Sequence, residues 1–371
     1  PKGSGDMNTT REFKSLDDLL ETDVTSDYTL RIQGGGLSCD LDLAPILIGR
    51  DKTCEMVLPV SAISRFHCVL YRSGRHAVIR DLHSTNGVFL NQVRVYQAPL
   101  RVGDEFQLGD ERFRVVLGPP RQQNYSKSCA VMFMDVANST RLTELYGQTF
   151  SHAIHQEIAR IEDQIFWHRG CPIKHLGDGL MCAFGIWPEH DLNPADAALR
   201  AALLAIYHIE KTHQFPGLGL RVGLSFGEVT VPAQENLDIF GDTVNLSSRL
   251  EFSNKLYGTS IMMSEDFYNQ LEDRDCIREV DMVRVKGKLN PVRIYTYDSG
   301  QQDPRSALYA GFYRLGLEQY RQGDFVKAGV LFERAAAYGD PPGHCMNDRV
   351  MQMLSAGIPT NWDGIWNLEK E

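Results

Sequence analysis

The segment FMDVANST, residues 133–140, ends an apolar run that begins at Cys129 with a carboxylate, Asp135, and then sets Asn138, Ser139 and Thr140 in a row. The run predicts a buried strand over 129–135, and the three polar residues predict the start of a helix. A carboxylate at a strand end beside a helix N-terminus suits a metal-bound polyphosphate: the carboxylate holds the cation, and first-turn N–H groups face phosphate oxygens. Taken alone, the same residues make an ordinary helix cap. In IKHLGDGLMCAF, residues 173–184, Asp178 sits in a Gly-Asp-Gly turn between two apolar arms, a hairpin pattern. If that arm pairs with the Asp135 strand, two carboxylates converge, and two divalent cations (Mg²⁺ or Mn²⁺) fit between them. In LDIFGDTVNLSSRLE, residues 237–251, Asn245 and Arg249 lie four apart and share a helix face. Arg can stabilise charge on a reacting phosphorus and Asn can orient a sugar. By itself that helix reads as one with an exposed Arg beside Glu251.

Outward from these segments, strands alternate with helices. Residues 140–168 carry Leu142, Leu145, Ile154, Ile158, Ile161 and Ile165 at near-helical spacing, and 194–212 form a second helix. Residues 220–231, 243–258 and 281–297 read as strand, helix and strand pair, so the pattern is a sheet covered by helices. Upstream, residues 28–118 hold seven short β-type runs punctuated by Gly, Asn and Asp, which predicts a β-sandwich. GPPRQQNYSKS follows, placing a linker at 119–128. Residues 1–27 read as a tag remnant, PKGSGDM, and a polar leader with a start at Met7. In the tail, 300–371, two helical stretches, 307–322 and 325–338, meet at Gly323 and Asp324 as a helix hairpin. A solenoid needs about three such units, so a single one must dock on something else.

The 371 residues predict two or three domains, and 43% hydrophobic with 23% charged residues argues against wholesale disorder. A net charge of −10 disfavours nucleic-acid or anionic-membrane binding. No run of 18 apolar residues predicts membrane insertion. The eight cysteines include no C-x-x-C pair, which fits thiols in a reducing cytoplasm better than disulfides or zinc. His175 is expected on the strand face opposite Lys174. Phe166, Trp167 and Trp187 are expected in the core. GLGLRVG, 217–223, precedes a strand and so is no dinucleotide loop.

Taken in order, the three segments resemble the class III nucleotidyl cyclases over residues 129–299. The resemblance implies an α+β, ferredoxin-like domain. It makes Asp135 and Asp178, with the backbone carbonyl of Val136, the metal ligands. Asn245 and Arg249 become the transition-state residues, and a Lys of the VKGK segment, Lys286 before Lys288, the terminal-phosphate contact. The family's base selectors fall at Lys174 and Asp238. A Lys⁺ suits the adenine N1 acceptor and a carboxylate the exocyclic amine donor, so the pair implies ATP. The family builds its site between two domains, and one such domain here implies a homodimer.

The sandwich carries IGR (48–50), ISRFH (63–67) and DLHSTNGVFLN (81–91). Arg50, Ser64, Arg65, Thr85 and Asn86 all fall in or beside predicted turns. Each alone suits a solvated turn; together they resemble the forkhead-associated (FHA) domain, which binds phosphothreonine. On that resemblance Arg50, Ser64 and Arg65 hold phosphate, Thr85 and Asn86 contact the peptide backbone, and His67 supports the loop from within. The implied partner is a phosphothreonine protein, such as a Ser/Thr kinase or its substrate. The expectation is therefore a multidomain cytoplasmic adenylate cyclase: an all-β FHA sandwich, the cyclase domain and a helical tail resembling a tetratricopeptide unit. Its rivals are a guanylate cyclase and a phosphothreonine-binding scaffold with little turnover.

Overall fold

A computed structural model of the chain describes residues 28–42, 44–73, 76–120, 125–187, 192–212, 215–232, 237–285, 290–298, 304–357 and 361–368. The expected leader over 1–27 lies outside the described residues. The chain divides into two compact units, Pro1–Tyr125 with Val231–Asp238, and Ser126–Thr230 with Ile239–Glu371.

The first unit is a two-sheet sandwich. Its strands are β1 (Tyr28–Gly34), β2 (Leu37–Leu41), β3 (Ile46–Gly49), β4 (Met56–Val57), β5 (Cys68–Ser73), β6 (His76–Asp81), β7 (Val88–Leu90), β8 (Val93–Val95), β9 (Gln97–Leu100), β10 (Glu105–Leu108) and β11 (Glu111–Pro120). One sheet runs β2-β1-β11-β10-β7-β8 and the other β4-β3-β5-β6-β9. Alternate residues, such as Leu30 and Ile32 on β1 or Ile46 and Ile48 on β3, meet Leu70, Ile79 and Phe106 in an apolar core. The four strands beyond the seven expected runs are β2, β4, β8 and β9, and every one is a sheet edge. Edge strands bury little, as in the exposed β8, or tolerate proline, as β9 does at Pro99 between the buried Ala98 and Leu100, so they do not read as strands from the sequence.

The expected linker is shorter than 119–128. Strand β11 continues to Pro120, pairing Pro120 with Tyr28. On its other side β10 covers only Glu111–Arg114, so the prolines sit where no ladder N–H is required from that edge.

The second unit begins with β12 (Tyr125–Ala137), α1 (Ser139–Tyr146), α2 (Gln148–Trp167), β13 (Gly170–Leu176), β14 (Gly179–Phe184) and α3 (Pro194–Thr212). It continues with β15 (Gly219–Val231), α4 (Asp242–Tyr257), β16 (Ile261–Ser264), α5 (Glu265–Gln270), β17 (Ile277–Val285) and β18 (Val292–Tyr297). The tail adds α6 (Pro304–Arg321), α7 (Phe325–Ala337), α8 (Pro341–Ala356) and β19 (Trp366–Leu368). The sheet runs β13-β14-β12-β15-β16-β18-β17-β19. On one face Met132, Met134 and Val136 of β12 pack with Ile154, Ile158 and Ile161 of α2 and the alanines of α3. On the other, Leu246, Leu250 and Tyr257 of α4 share a core with Val280 and Val283 of β17 and with Tyr313, Phe332 and Val350 of the tail.

The helix expected over 140–168 is two, broken at Gly147, whose φ of 55° ends α1 and starts α2. The tail holds a third helix, α8, hidden by its two prolines. These occupy the first turn, where no N–H is needed, while Asp340 caps the turn by accepting from Gly343 N. Among the described residues no helix is long and apolar enough to cross a membrane. All eight cysteines are free, and burial pushes the Cys129 thiol up to about 11.

Candidate functional site

Antiparallel pairing of β12 with β14 sets Met134 opposite Leu180, which brings the Asp178 turn alongside Asp135. Gly179 allows the approach: a Cβ there would lie 2.9 Å from the Met134 carbonyl oxygen and 3.4 Å from Asp135 Oδ1. The side chain of Val136 is buried on the helical face, so Asp135, one residue earlier, projects from the other face of β12. Asp135, Val136 and Asp178 are thus brought together by one chain.

Two further residues complete this cluster. Arg221 of β15 donates from Nη2 to Asp135 Oδ2 at 2.5 Å and from Nε to Glu251 Oε1 at 3.1 Å. Glu251 of α4 therefore belongs to the site and is not part of an exposed Arg–Glu pair. Burial, and then the charge of Asp135, push the Glu251 carboxyl up to about 7, with Asp178 adding to the shift against the Arg221 guanidinium. Asp135 and Glu251 thus flank one guanidinium, and the charge of Asp178 also acts on Glu251, so acidic groups outnumber the single cation. Asp178 Oδ2 is buried with no hydrogen-bond partner. A buried carboxylate oxygen without a donor, in a negative cluster, fits a divalent cation. Among the described residues no three His, Cys, Asp or Glu side chains form a complete cage, so Asp135 and Asp178 would leave positions for other ligands.

Arg221 was legible only as a residue of a strand; its signal was its place in that strand. Leu220, Val222 and Leu224 point into the helical core, so Arg221 and Gly223 point to the face of Asp135.

The remaining candidates lie elsewhere. Lys174 is exposed on β13 and pairs with Met181, while His175 turns to Glu162 of α2 at 2.8 Å, so the two occupy opposite faces as expected. Asn245 is exposed and Arg249 half-exposed on α4. Asp238 ends the Val231–Asp238 stretch that groups with the first unit. Lys286 and Lys288 lie outside the described residues. Phe166 and Trp187 are core residues, 0% and 3% exposed, with Arg169 stacked over Trp187 at 4.5 Å.

Helix α4 is held by polar contacts as well as apolar ones. The Ser247 hydroxyl, wholly buried, is shared between the carbonyls of Val131 (2.9 Å) and Gly223 (2.8 Å). Asn254 Nδ2 donates to Val222 O at 3.0 Å. At Gly223 an added Cβ would stand 2.1 Å from Ser247 O, so only glycine admits this approach.

In the first unit three loops gather at one rim. Arg50 N donates to Ser64 O at 3.0 Å and Asp51 N to Arg65 O at 3.1 Å. Thr85 N donates to Ser64 Oγ at 3.0 Å, and Asn86 Nδ2 to Ala62 O at 2.7 Å. Arg50, Arg65, Thr85 and Asn86 are exposed there. His67, 0% exposed, accepts from Ser64 N at Nδ1 (3.2 Å) and donates from Nε2 to Gly87 O (3.1 Å). Burial holds its pKa below the ordinary histidine value, so the neutral ring ties two loops together. The Asn86 amide nitrogen is committed to Ala62, leaving Oδ1 for a ligand.

Residues 46–109 match the FHA domain, and residues 121–298 match the adenylate and guanylate cyclase catalytic domain. The chain carries both domains, the second of class III. Adenylate cyclase 1 of Rhizobium meliloti is 29% identical over 185 residues, 46% of this chain and 27% of that protein. An adenylate cyclase of Mycobacterium bovis is 30% identical over 165 residues, 43% of this chain and 35% of that one. The chain therefore spans well under two thirds of these relatives. The solved adenylyl cyclase CyaB from P. aeruginosa is 24% identical, covering 49% of this chain and 99% of its own at a TM-score of 0.43. A chain from a structural and functional study of phosphothreonine-dependent FHA interactions is 30% identical over 24% of this chain and 98% of its own, at a TM-score of 0.23.

Proposed function

We propose that the chain is an adenylate cyclase, converting ATP to 3′,5′-cyclic AMP and pyrophosphate at a homodimer interface. The observation that carries this is the pairing of Asp135 with Asp178, whose Oδ2 is buried and unpartnered beside the Asp135–Arg221–Glu251 cluster. In the reaction the ribose 3′-hydroxyl gives up its proton to water, its oxygen bonds to the α-phosphorus, and the bond from that phosphorus to the bridging oxygen breaks, its electron pair leaving with pyrophosphate. Asp135, Asp178 and the Val136 carbonyl would hold two divalent cations, Mg²⁺ or Mn²⁺, which when bound supply charge neutralisation and an acidified 3′-hydroxyl. Arg221 orients the Asp135 carboxylate. Asn245 orients the ribose, and Arg249 offsets charge on the α-phosphoryl group. Lys174 and Asp238 read the adenine edge, and Lys286 meets the terminal phosphates. One protomer supplies the carboxylates, and its partner Lys174, Asp238, Asn245 and Arg249.

Measuring both cyclic nucleotides from purified protein given ATP or GTP tests this reading. Cyclic AMP in clear excess is expected. Cyclic GMP in excess would make the chain a guanylate cyclase; no turnover with either, Mn²⁺ included, would leave a scaffold.

The rim of Arg50, Ser64, Arg65, Thr85 and Asn86 binds a phosphothreonine protein, through which the enzyme is regulated or localised. Arg50→Ala should weaken binding of a phosphothreonine peptide about tenfold or more, the worth of one charge-assisted contact, by calorimetry. Wild-type affinity in Arg50→Ala would remove Arg50 from the site. The α6–α7 pair is read as a tetratricopeptide-type unit, and the cytoplasm as its compartment.

A further inference from the structure

The helical tail and the catalytic helix end in one buried polar cluster. Tyr257, the last residue of α4, donates its hydroxyl to Asp281 Oδ2 of β17 at 2.6 Å. Arg349 of α8 donates to the same Asp281 Oδ2 at 2.6 Å and to the Tyr257 hydroxyl oxygen at 2.9 Å. The three residues are 0%, 1% and 7% exposed. Asp281 is fixed from its own strand, its Oδ1 accepting from Met282 N at 2.8 Å. The Arg349 guanidinium also stacks 4.5 Å over Trp366 of β19. At the same end Pro341, opening α8, abuts the left-handed cap Gly258, where an added Cβ would stand 2.9 Å from the proline Cβ.

Along α4 the residues buried against this core are Leu246, Leu250 and Tyr257, one helical stripe. Asn245 and Arg249 each precede a leucine of that stripe, so they form the neighbouring stripe of the same helix. A rotation or slide of α4 against the tail core therefore moves both groups together. Apolar contacts resist separation but fix register poorly. Directional bonds fix it: Ser247 and Asn254 hold α4 to the sheet, and Tyr257, Asp281 and Arg349 hold its C-terminal end to the tail.

We propose that the tail is a brace for the catalytic helix, and that Arg349 is a positioning residue setting where Asn245 and Arg249 stand. This rests on the adenylate cyclase reading for its consequence in turnover, though not for its structural content. The tail on this view is part of the catalytic unit, and its removal is not the removal of an independent binding module.

The test compares full-length wild type, Arg349→Met, Arg349→Lys, Tyr257→Phe and Arg249→Ala, with Arg349→Met also placed in the Arg249→Ala background. Arg349→Met should lower kcat roughly tenfold or more while KM for ATP stays within about twofold, and Arg349→Lys should recover part of the loss. In the Arg249→Ala background the same change should cost less than in wild type, because only the part acting through Asn245 remains. Hydrogen exchange supplies a readout independent of turnover: α4 amides should exchange faster in Arg349→Met, with α2 amides unchanged. Unchanged kcat and unchanged α4 exchange in a folded Arg349→Met would overturn the brace, as would equal losses in both backgrounds or faster exchange throughout. Should Arg349→Met fail to fold, Tyr257→Phe, which deletes a single hydroxyl, decides by the same kcat and exchange criteria. A wild type without turnover, or a fully active Arg249→Ala, would sink the cyclase reading instead; the α4 exchange result would still decide the brace.

Discussion

Asp135 is held from one side by Arg221 and faces the Asp178 turn, whereas a surface aspartate would have neither constraint. If it holds a catalytic metal, Asp135→Ala should cost far more than the roughly 10–100-fold typical of outer-shell partners, with the melting temperature little changed. Near wild-type cyclic AMP production in that variant would remove Asp135 from the chemistry. Glu251 makes a different prediction. Its carboxyl keeps its proton up to about 7 in the folded chain, against an ordinary value of 4.5. The folded state therefore binds more protons than the unfolded one across that window. The stability from this group is full below the ordinary value and is lost as pH rises through about 7. Metal-free denaturant midpoints at about pH 5 and about pH 8 should fall less in Glu251→Gln than in wild type. An equal fall in both would assign the pH dependence elsewhere. Asp135 and Asp178 were legible in sequence because one ends an apolar strand run with a carboxylate and the other sits in a Gly-Asp-Gly turn between two apolar arms. Arg221 and Glu251 were not, because a charged residue on a strand or helix looks solvated until the opposite element is known.

Helix α4 shows the same limit among elements. Its length and the Asn245–Arg249 spacing could be read, but its face could not, since Ser247, Ser253 and Asn254 are buried beside its leucines. Those polar groups bond to strand and helix carbonyls, which no apolar period announces. The four missed strands were silent because they are short edges, exposed as in β8 or broken by a proline as in β9. The close seating of α4 on β15 makes Gly223→Ala a sharp probe. A methyl group 2.1 Å from Ser247 O cannot be accommodated without moving backbone, so a loss of about 1–3 kcal/mol is expected in urea unfolding. Wild-type stability in Gly223→Ala would mean that α4 sits farther from the sheet.

At the scale of the molecule, a shared site has a consequence that no single-chain site has. Homodimers of Asp135→Ala or of Arg249→Ala should each keep only a small residual activity. A heterodimer of the two carries one site with both lesions and one with neither, so activity should return toward about half that of wild type. Verified heterodimers without activity would reject the shared site, and so would full turnover by a monomer. The large sheet also constrains how two copies can meet. Strand β19 runs parallel to β17 over Val283–Val285 and is only three residues long. At the opposite border β13 carries Pro172, a register shift between Pro172 and Lys174, and the exposed Lys174. A short strand at one border and a proline with a charge at the other both discourage another chain from adding its backbone to the ladder. Loss of β19 would bare the β17 ladder and should favour aggregation by strand addition, even with α6, α7 and α8 intact. With both borders closed in this way, association of two copies is left to side-chain surfaces, where register is set by shape and charge and not by the backbone.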